Sequence, residues 1–311
     1  MQKSSPNPTH DPTPVTAMPL SVWAALILLG LVWGSSFFFG RVIMLEMPVI
    51  TANFFRVMPA AVVLWLAIAM LRLPLLSGSG VLVSIIVMGL FNNVIPFSLI
   101  LFGQKEIGSG LASIINAMTP IWTLLIANAF TEDEKLTRRK IVGVGLGFAG
   151  VALLLGSNIG DGLSASLLAQ LSVLGASVSY GVSAVYGKRF RGQPVIAVAA
   201  SQLTASSCII GLLALLIDQP WNLAVPSAPV IWSLAGISLL CTAFAYFLFF
   251  NILSKAGATN ASLVTLLVPP SAILLGWLFL GETLSPVQML AILVIGAGLL
   301  VQDGRIFTRR R

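Results

Sequence analysis

Charge is what this chain lacks. Asp, Glu, Lys and Arg together make up 9% of its 311 residues, against roughly 25% in an ordinary soluble domain. Acidic residues number ten, and the one histidine, His10, lies in a proline-rich start. The two cysteines, Cys208 and Cys241, both sit inside apolar runs without metal-ligand spacing, so no disulfide framework is implied and both read as small buried hydrophobes. No HExxH sequence occurs, and no Asp, Glu or His lies in the middle of an apolar run. An integral-membrane enzyme would need a metal constellation, an acid pair or a nucleophile with a base, and is therefore disfavoured. No catalytic residue, metal ligand or cofactor is expected.

Apolar residues fill the space that charge leaves. They make up 57% of the chain, with a mean hydropathy of +0.99. Ten apolar runs can be counted, at 20–39, 50–71, 81–102, 107–130, 141–155, 163–186, 195–217, 230–253, 258–280 and 287–301. Most reach the ~20 residues a helix needs to cross a bilayer. Short alternating segments of the beta-barrel kind do not occur. The expected fold is an all-α integral membrane protein with ten transmembrane helices and the lipid bilayer as its surroundings. Runs five and ten are short, at ~22 Å of helix against a ~30 Å core. Either they mark a binding site, or snorkelling Arg139 and Lys140 lengthen the first of them while Gly143, Gly147 and Gly150 give it a close-packing face.

Residues 103–155 reappear in outline at 252–300. Gly108, Ala112, Ser113 and Pro120 fall on Gly257, Ala261, Ser262 and Pro269 at a spacing of 149. Glu134, Leu136, Thr137, Ala149 and Gly150 fall on Glu282, Leu284, Ser285, Ala297 and Gly298 at 148. Upstream, Trp33, Gly34, Gly40 and Arg41 fall on Tyr180, Gly181, Gly187 and Lys188 at 147. Five runs per unit is an odd number, so the second copy is inverted. The expected organisation is a disordered cytoplasmic tail (1–19), a first five-helix repeat (20–156), a second (163–301) and a basic cytoplasmic tail (302–311). Inverted halves favour a carrier, because a site between them opens to either side when one half rocks on the other.

Charge placement fixes an expected orientation. With the amino terminus cytoplasmic, fourteen Lys and Arg residues fall on the inner side, Arg41 and Lys105 fall on the outer side, and Arg56 stays in the membrane. The positive-inside rule then puts both termini in the cytoplasm. The net charge of +7 is scattered over loops and tails as a membrane protein requires, and no nucleic-acid partner is expected.

These features resemble the EamA-type unit of the drug/metabolite transporter superfamily. The residues that carry the resemblance are Trp33-Gly34-Ser35-Ser36, Arg56, the Asn116 to Pro120 stretch, the acidic turn Glu134-Lys135-Leu136-Thr137, and its counterpart Gly281-Glu282-Thr283-Leu284-Ser285. It covers about residues 20 to 301. Two departures stand out: Tyr180 replaces the tryptophan in the second half, and Asp133 precedes Glu134 where a glycine is expected, as Gly281 precedes Glu282 in the other copy. The resemblance implies export or exchange of amino acids, drugs or other small metabolites, and a bacterial inner membrane. Small multidrug pumps of that superfamily carry a glutamate in the first membrane helix. This chain has none, so downhill transport or exchange is expected rather than proton antiport.

Within the runs, a few residues could carry transport. Pro96, Pro120 and Pro269 each remove a backbone donor and can kink a helix, and freed carbonyls persist in lipid only where protein or cavity water satisfies them. Arg56 is the one charge well inside a run, and its guanidinium suits a substrate carboxylate held through two parallel hydrogen bonds; snorkelling or pairing with backbone carbonyls is the alternative. Asn92, Asn116, Gln202 and Thr265 are polar groups that need partners in lipid, whether another helix or substrate. Trp33 and Tyr180, equivalent in the repeat and each beside a glycine, are the expected aromatic walls. Glu134 and Glu282 are expected to be structural, with Thr137 and Ser285 capping the helices that follow. The main expectation is a small-molecule carrier working by alternating access, with a nucleotide-sugar or lipid-linked carrier as runner-up; a homodimer stays open.

Overall fold

The structure is a computed structural model that describes residues 19–78, 80–131, 136–156 and 164–303. Among them are eight helices long and apolar enough to cross a membrane: α1 (Leu20–Ile43), α2 (Val49–Leu71), α3 (Val81–Gly103), α4 (Ser109–Phe130), α5 (Arg138–Gly156), α6 (Ala165–Phe190), α7 (Val195–Asp218) and α8 (Ala228–Gly257). Two shorter apolar helices follow, α9 (Val264–Leu280) and α10 (Pro286–Gln302), completing the expected ten. The tails and Glu134 lie outside the described residues.

The brevity of the fifth run disappears in the helix itself. Arg138, Arg139 and Lys140 form its first turn, so α5 has 19 residues, about 28 Å at 1.5 Å per residue. Thr137 Oγ1 accepts from the Lys140 amide at 3.4 Å. At the start of α10 the cap is reciprocal, as the sequence predicts: the Gln288 amide donates to Ser285 Oγ at 3.3 Å, and the Ser285 amide to Gln288 Oε1 at 2.9 Å.

Exchanging the two halves maps the helix contacts onto themselves. The α1 helix packs on α8 and α9, while its repeat counterpart α6 packs on α3 and α4; α2 lies against α7, and α5 against α10. Glycines set the closest of these approaches. A Cβ on Gly34 would stand 2.8 Å from the Val268 carbonyl oxygen of α9, and one on its counterpart Gly181 would stand 3.0 Å from the Thr123 amide nitrogen of α4. Between α5 and α10, a Cβ on either Gly143 or Gly298 would lie 2.7 Å from the other's carbonyl oxygen. Small residues of this kind let membrane helices pack backbone to backbone, where dispersion rather than water drives association.

Regular helix gives way at a matched pair of places, and again at Ala214–Asp218, the π-helical end of α7. In α3 the stretch Leu90–Val94 is π-helical, and in α8 so is Gly236–Phe244. Shifted by the repeat spacing of 147, residues 90–94 fall on 237–241, inside the second stretch. Thr242 Oγ1 donates to the Ile237 carbonyl five residues back at 2.8 Å, which fits the wider turn. π-Helical turns carry a cost and concentrate at functional sites. The prolines divide. Pro96 opens the α-helical part of α3 just past its π-stretch, Pro120 follows a break at 117–118 in α4, and Pro269 lies inside a continuous α9. Pro59 lies within α2, a position the sequence reading did not single out.

Candidate functional site

Arg56 sits on α2, 7% exposed. Its guanidinium carbon lies 3.5 Å from the centroid of the Phe97 ring on α3, and Tyr180, Cys241 and Tyr246 surround its charge. Among the described residues no carboxylate pairs with it, and its Nε is buried without a hydrogen bond. A desolvated cation–π contact contributes about 2 kcal/mol, while burying an ion costs several kcal/mol. Among the described residues, then, nothing neutralises this buried cation.

A hydrogen-bonded chain converges beside it. The Tyr246 hydroxyl of α8 accepts from Gln202 Nε2 of α7 at 2.8 Å and from Asn92 Nδ2 of α3 at 3.2 Å. Asn92 Oδ1 in turn accepts from Ser183 Oγ of α6 at 3.0 Å. Asn92 belongs to the π-stretch of α3, whose Phe91 carbonyl is also tied to α6 by Ser179 Oγ at 2.7 Å. Asn93, fully buried beside the same tyrosine, has neither amide atom in a well-formed hydrogen bond, and Gln202 Oε1 is likewise unpaired. Each such orphan costs about 1–3 kcal/mol. Several together, next to an unpaired guanidinium, make a polar centre with unused binding capacity.

Aromatic rings wall this centre. Phe97 and Tyr180 meet edge to face at 6.4 Å, Tyr246 stacks on Phe250 at 5.8 Å, Phe250 meets Phe249 at 5.5 Å, and Phe249 meets Trp33 at 5.5 Å. Five expected residues thus belong to one assembly drawn from both halves: Trp33, Arg56 and Asn92 from the first, Tyr180 and Gln202 from the second. Asn116 and Thr265 form no hydrogen bond to it. The Asn116 carbonyl accepts from Thr119 Oγ1 at 2.8 Å at the break in α4, with Asn116 Oδ1 buried and unpaired; Thr265 Oγ1 donates to the Ser262 carbonyl at 2.8 Å. Sequence reasoning missed Phe97, Tyr246, Phe249 and Phe250. A signal existed for Tyr246, one of only three tyrosines and well inside a run as Tyr180 is. The phenylalanines gave none.

The helix ends on the Arg41 side are joined by carboxylates. Glu46 accepts from the Ser227 amide at 2.7 Å and from the Ser227 hydroxyl, which hold its carboxyl below the usual carboxylate range. Asp218 accepts from the Thr51 amide at 2.7 Å and from Thr51 Oγ1 at 2.9 Å. Glu282 accepts from the Ser109 amide at 2.8 Å, from Ser109 Oγ at 3.0 Å and from the Gly110 amide at 3.2 Å. Glu282 thus caps α4 of the opposite half, beyond the structural role expected within its own turn. Above it lies a crevice of about 380 Å³ lined in part by Arg41, Leu45, Leu111, Glu282 and Leu284. Arg41 donates to the Gln104 carbonyl and, at 2.8 Å, to that of Lys105. On the opposite side of the protein, Gln193 links to the backbone of Ser77 at 2.9 and 3.3 Å.

Known proteins share this organisation. The chain matches the EamA-like transporter family twice, over residues 20–156 and 167–302. It is 27% identical over 297 residues to the uncharacterised transporter YoaV of Bacillus subtilis (strain 168), covering 94% of this chain and 99% of that protein. It is 25% identical over 283 residues to the uncharacterised inner membrane transporter YedA of Escherichia coli (strain K12), covering 89% of this chain and 88% of that protein. A solved protein structure overlays with a TM-score of 0.66 at 20% identity, covering 94% of this chain and 99% of the other, which shows the shared fold. Two family matches along one chain of membrane helices place it: it is a multi-pass membrane protein that belongs to the EamA-like transporter family.

Proposed function

We propose that this transporter is a secondary carrier for small metabolites bearing a carboxylate, amino acids or similar amphipathic solutes, and that it exports them across a bacterial inner membrane by alternating access. Both termini face the cytoplasm in this reading, as the distribution of Lys and Arg favours, and the name of the relative YedA supports the inner membrane.

One observation carries the substrate class: Arg56 is buried between the halves with no anionic partner among the described residues. A carboxylate entering there would complete a bidentate, charge-assisted pair in a low-dielectric site, where such pairs are strong. The aromatic wall of Trp33, Phe249, Phe250 and Tyr246 would cover the apolar part of the solute. A nucleotide-sugar carrier needs more positive charge for its phosphates, and Arg56 is the only charge well inside a membrane run. The test is counterflow in proteoliposomes with labelled amino acids against their uncharged amides. Acids should exchange and amides should not; equal exchange of both would remove carboxylate recognition from the account.

A further inference from the structure

We propose that Glu46, Asp218 and Glu282 act as a three-point latch that holds the outer gate of the carrier shut, and that transport requires its release. The inference rests on the carrier reading and its orientation, and extends them to residues outside the central site.

The three links share one construction. In each, a carboxylate from one half caps the start of a helix in the other: Glu46 of the first half on Ser227 before α8, Asp218 of the second half on Thr51 in the first turn of α2, and Glu282 of the second half on Ser109 and Gly110 in the first turn of α4. A carboxylate at a helix N-terminus satisfies amides left without a partner and sits favourably in the helix field. The donors differ in exposure. Ser109 and Thr51 are buried, 0% and 1% exposed, whereas the Glu46 contact is at the surface.

Space has been left for the most enclosed of the three. A Cβ on Gly108 would stand 2.8 Å from the Glu282 carboxyl carbon, and one on Gly276 would stand 2.4 Å from Glu282 Oε2. Side chains at either position would push the carboxylate off its donors. The crevice of about 380 Å³ is bounded by Glu282 and by Leu111 in the first turn of α4, so an opening at this contact would deepen the crevice along α4 towards the membrane interior.

Such a latch is chemically reversible. When it opens, water hydrates the carboxylate and the freed amides together, so no group is left orphaned, in contrast to the buried Asn93 and Gln202. On the opposite side, among the described residues, the Gln193 amide links the halves through the Ser77 backbone.

The test introduces Leu111→Cys beneath the latch and measures its rate of modification by a membrane-impermeant maleimide in intact cells, with the parent chain, which retains Cys208 and Cys241, as the blank. Adding Glu282→Ala should speed labelling about tenfold or more, since losing even one of its three charge-assisted hydrogen bonds shifts the population by that much, and Asp218→Asn should speed it less because an amide oxygen still accepts. Glu106→Ala, an exposed acid on the same side outside the latch, should leave the rate unchanged. Ser109→Ala keeps the amide donors and serves if Glu282→Ala folds poorly, with an expected increase of a few-fold. Labelling unchanged in both Glu282→Ala and Ser109→Ala overturns the latch, as does equal acceleration by Glu106→Ala. No solute is needed for this readout, so failure of the latch is distinguished from failure of the carboxylate panel.

Discussion

Replacing Arg56 with methionine should separate binding from folding. The substitution keeps an unbranched apolar stem against Phe97 and removes a cation that is 7% exposed and unpaired among the described residues. The fold then loses a cation–π contact of about 2 kcal/mol and is relieved of a desolvation penalty of several kcal/mol. The balance favours the variant, so its thermal midpoint in detergent should equal or exceed that of the parent. Solute affinity should move the other way. A bidentate guanidinium–carboxylate pair comprises two hydrogen bonds to charged groups at roughly 1.5–3 kcal/mol each, and losing about 3 kcal/mol of binding raises the apparent KM for counterflow roughly 100-fold. Arg56→Lys should recover only part of this, since an ammonium cannot form the parallel pair. The assay is counterflow over a range of external amino-acid concentrations, paired with a fluorescence melt of the same preparation. An unchanged KM with a midpoint lowered by several degrees would refute the reasoning and make Arg56 a structural residue.

Other perturbations test other parts of the account. Tyr246→Phe keeps the ring stacked on Phe250 but leaves Gln202 Nε2 and Asn92 Nδ2 without their acceptor, and should cost about 1–3 kcal/mol of stability per orphan, read as a lower melting temperature together with slower counterflow. Gly34→Ala and Gly181→Ala place a methyl group against the α9 and α4 backbones respectively and should each destabilise by about 1–3 kcal/mol; Gly296→Ala meets open space and should gain about 0.5–1 kcal/mol from helix propensity, so a Gly34→Ala melt no lower than that of Gly296→Ala would contradict the packing. Acid should weaken the Glu46 link. Its carboxyl is depressed by the Ser227 hydroxyl and amide, so the contribution is complete above the ordinary glutamate range near pH 4.5 and is lost as pH falls below it; Leu111→Cys labelling, taken relative to that of a free thiol at the same pH because the thiolate is the reacting form, should rise in that acidic window, and Glu46→Gln should flatten that component.

The helices and the repeat were legible because both rest on features that sequence displays directly. Apolar runs of membrane length read as helices, and glycines repeated at 147 to 149 residues read as matched contacts, as Gly34 and Gly181 illustrate. Arg56, Trp33, Asn92, Tyr180 and Gln202 stood out because polar or amphipathic groups are rare within such runs. The π-stretches at Leu90–Val94 and Gly236–Phe244 were hidden, since neither segment carries a residue pattern that marks a wider turn. Phe97, Phe249 and Phe250 were hidden for another reason: among seventeen phenylalanines, only three-dimensional packing separates a ring beside Arg56 from one facing lipid. The Glu282 carboxylate looked like part of a local turn because its donors, Ser109 and Gly110, lie 173 and 172 residues away.

The central claim is that the two halves rock about the Arg56 centre. It is tested most directly by electron–electron distance measurements between spin labels in reconstituted protein, with one pair at Leu45 and Leu284 beside the outer crevice and a second pair at Leu75 and Gln193 on the opposite side. Adding a transported amino acid should change the two distance distributions reciprocally, with the outer pair lengthening in the population whose inner pair shortens. Two distributions that stay fixed during active counterflow, or that lengthen together, would contradict alternating access in this protein.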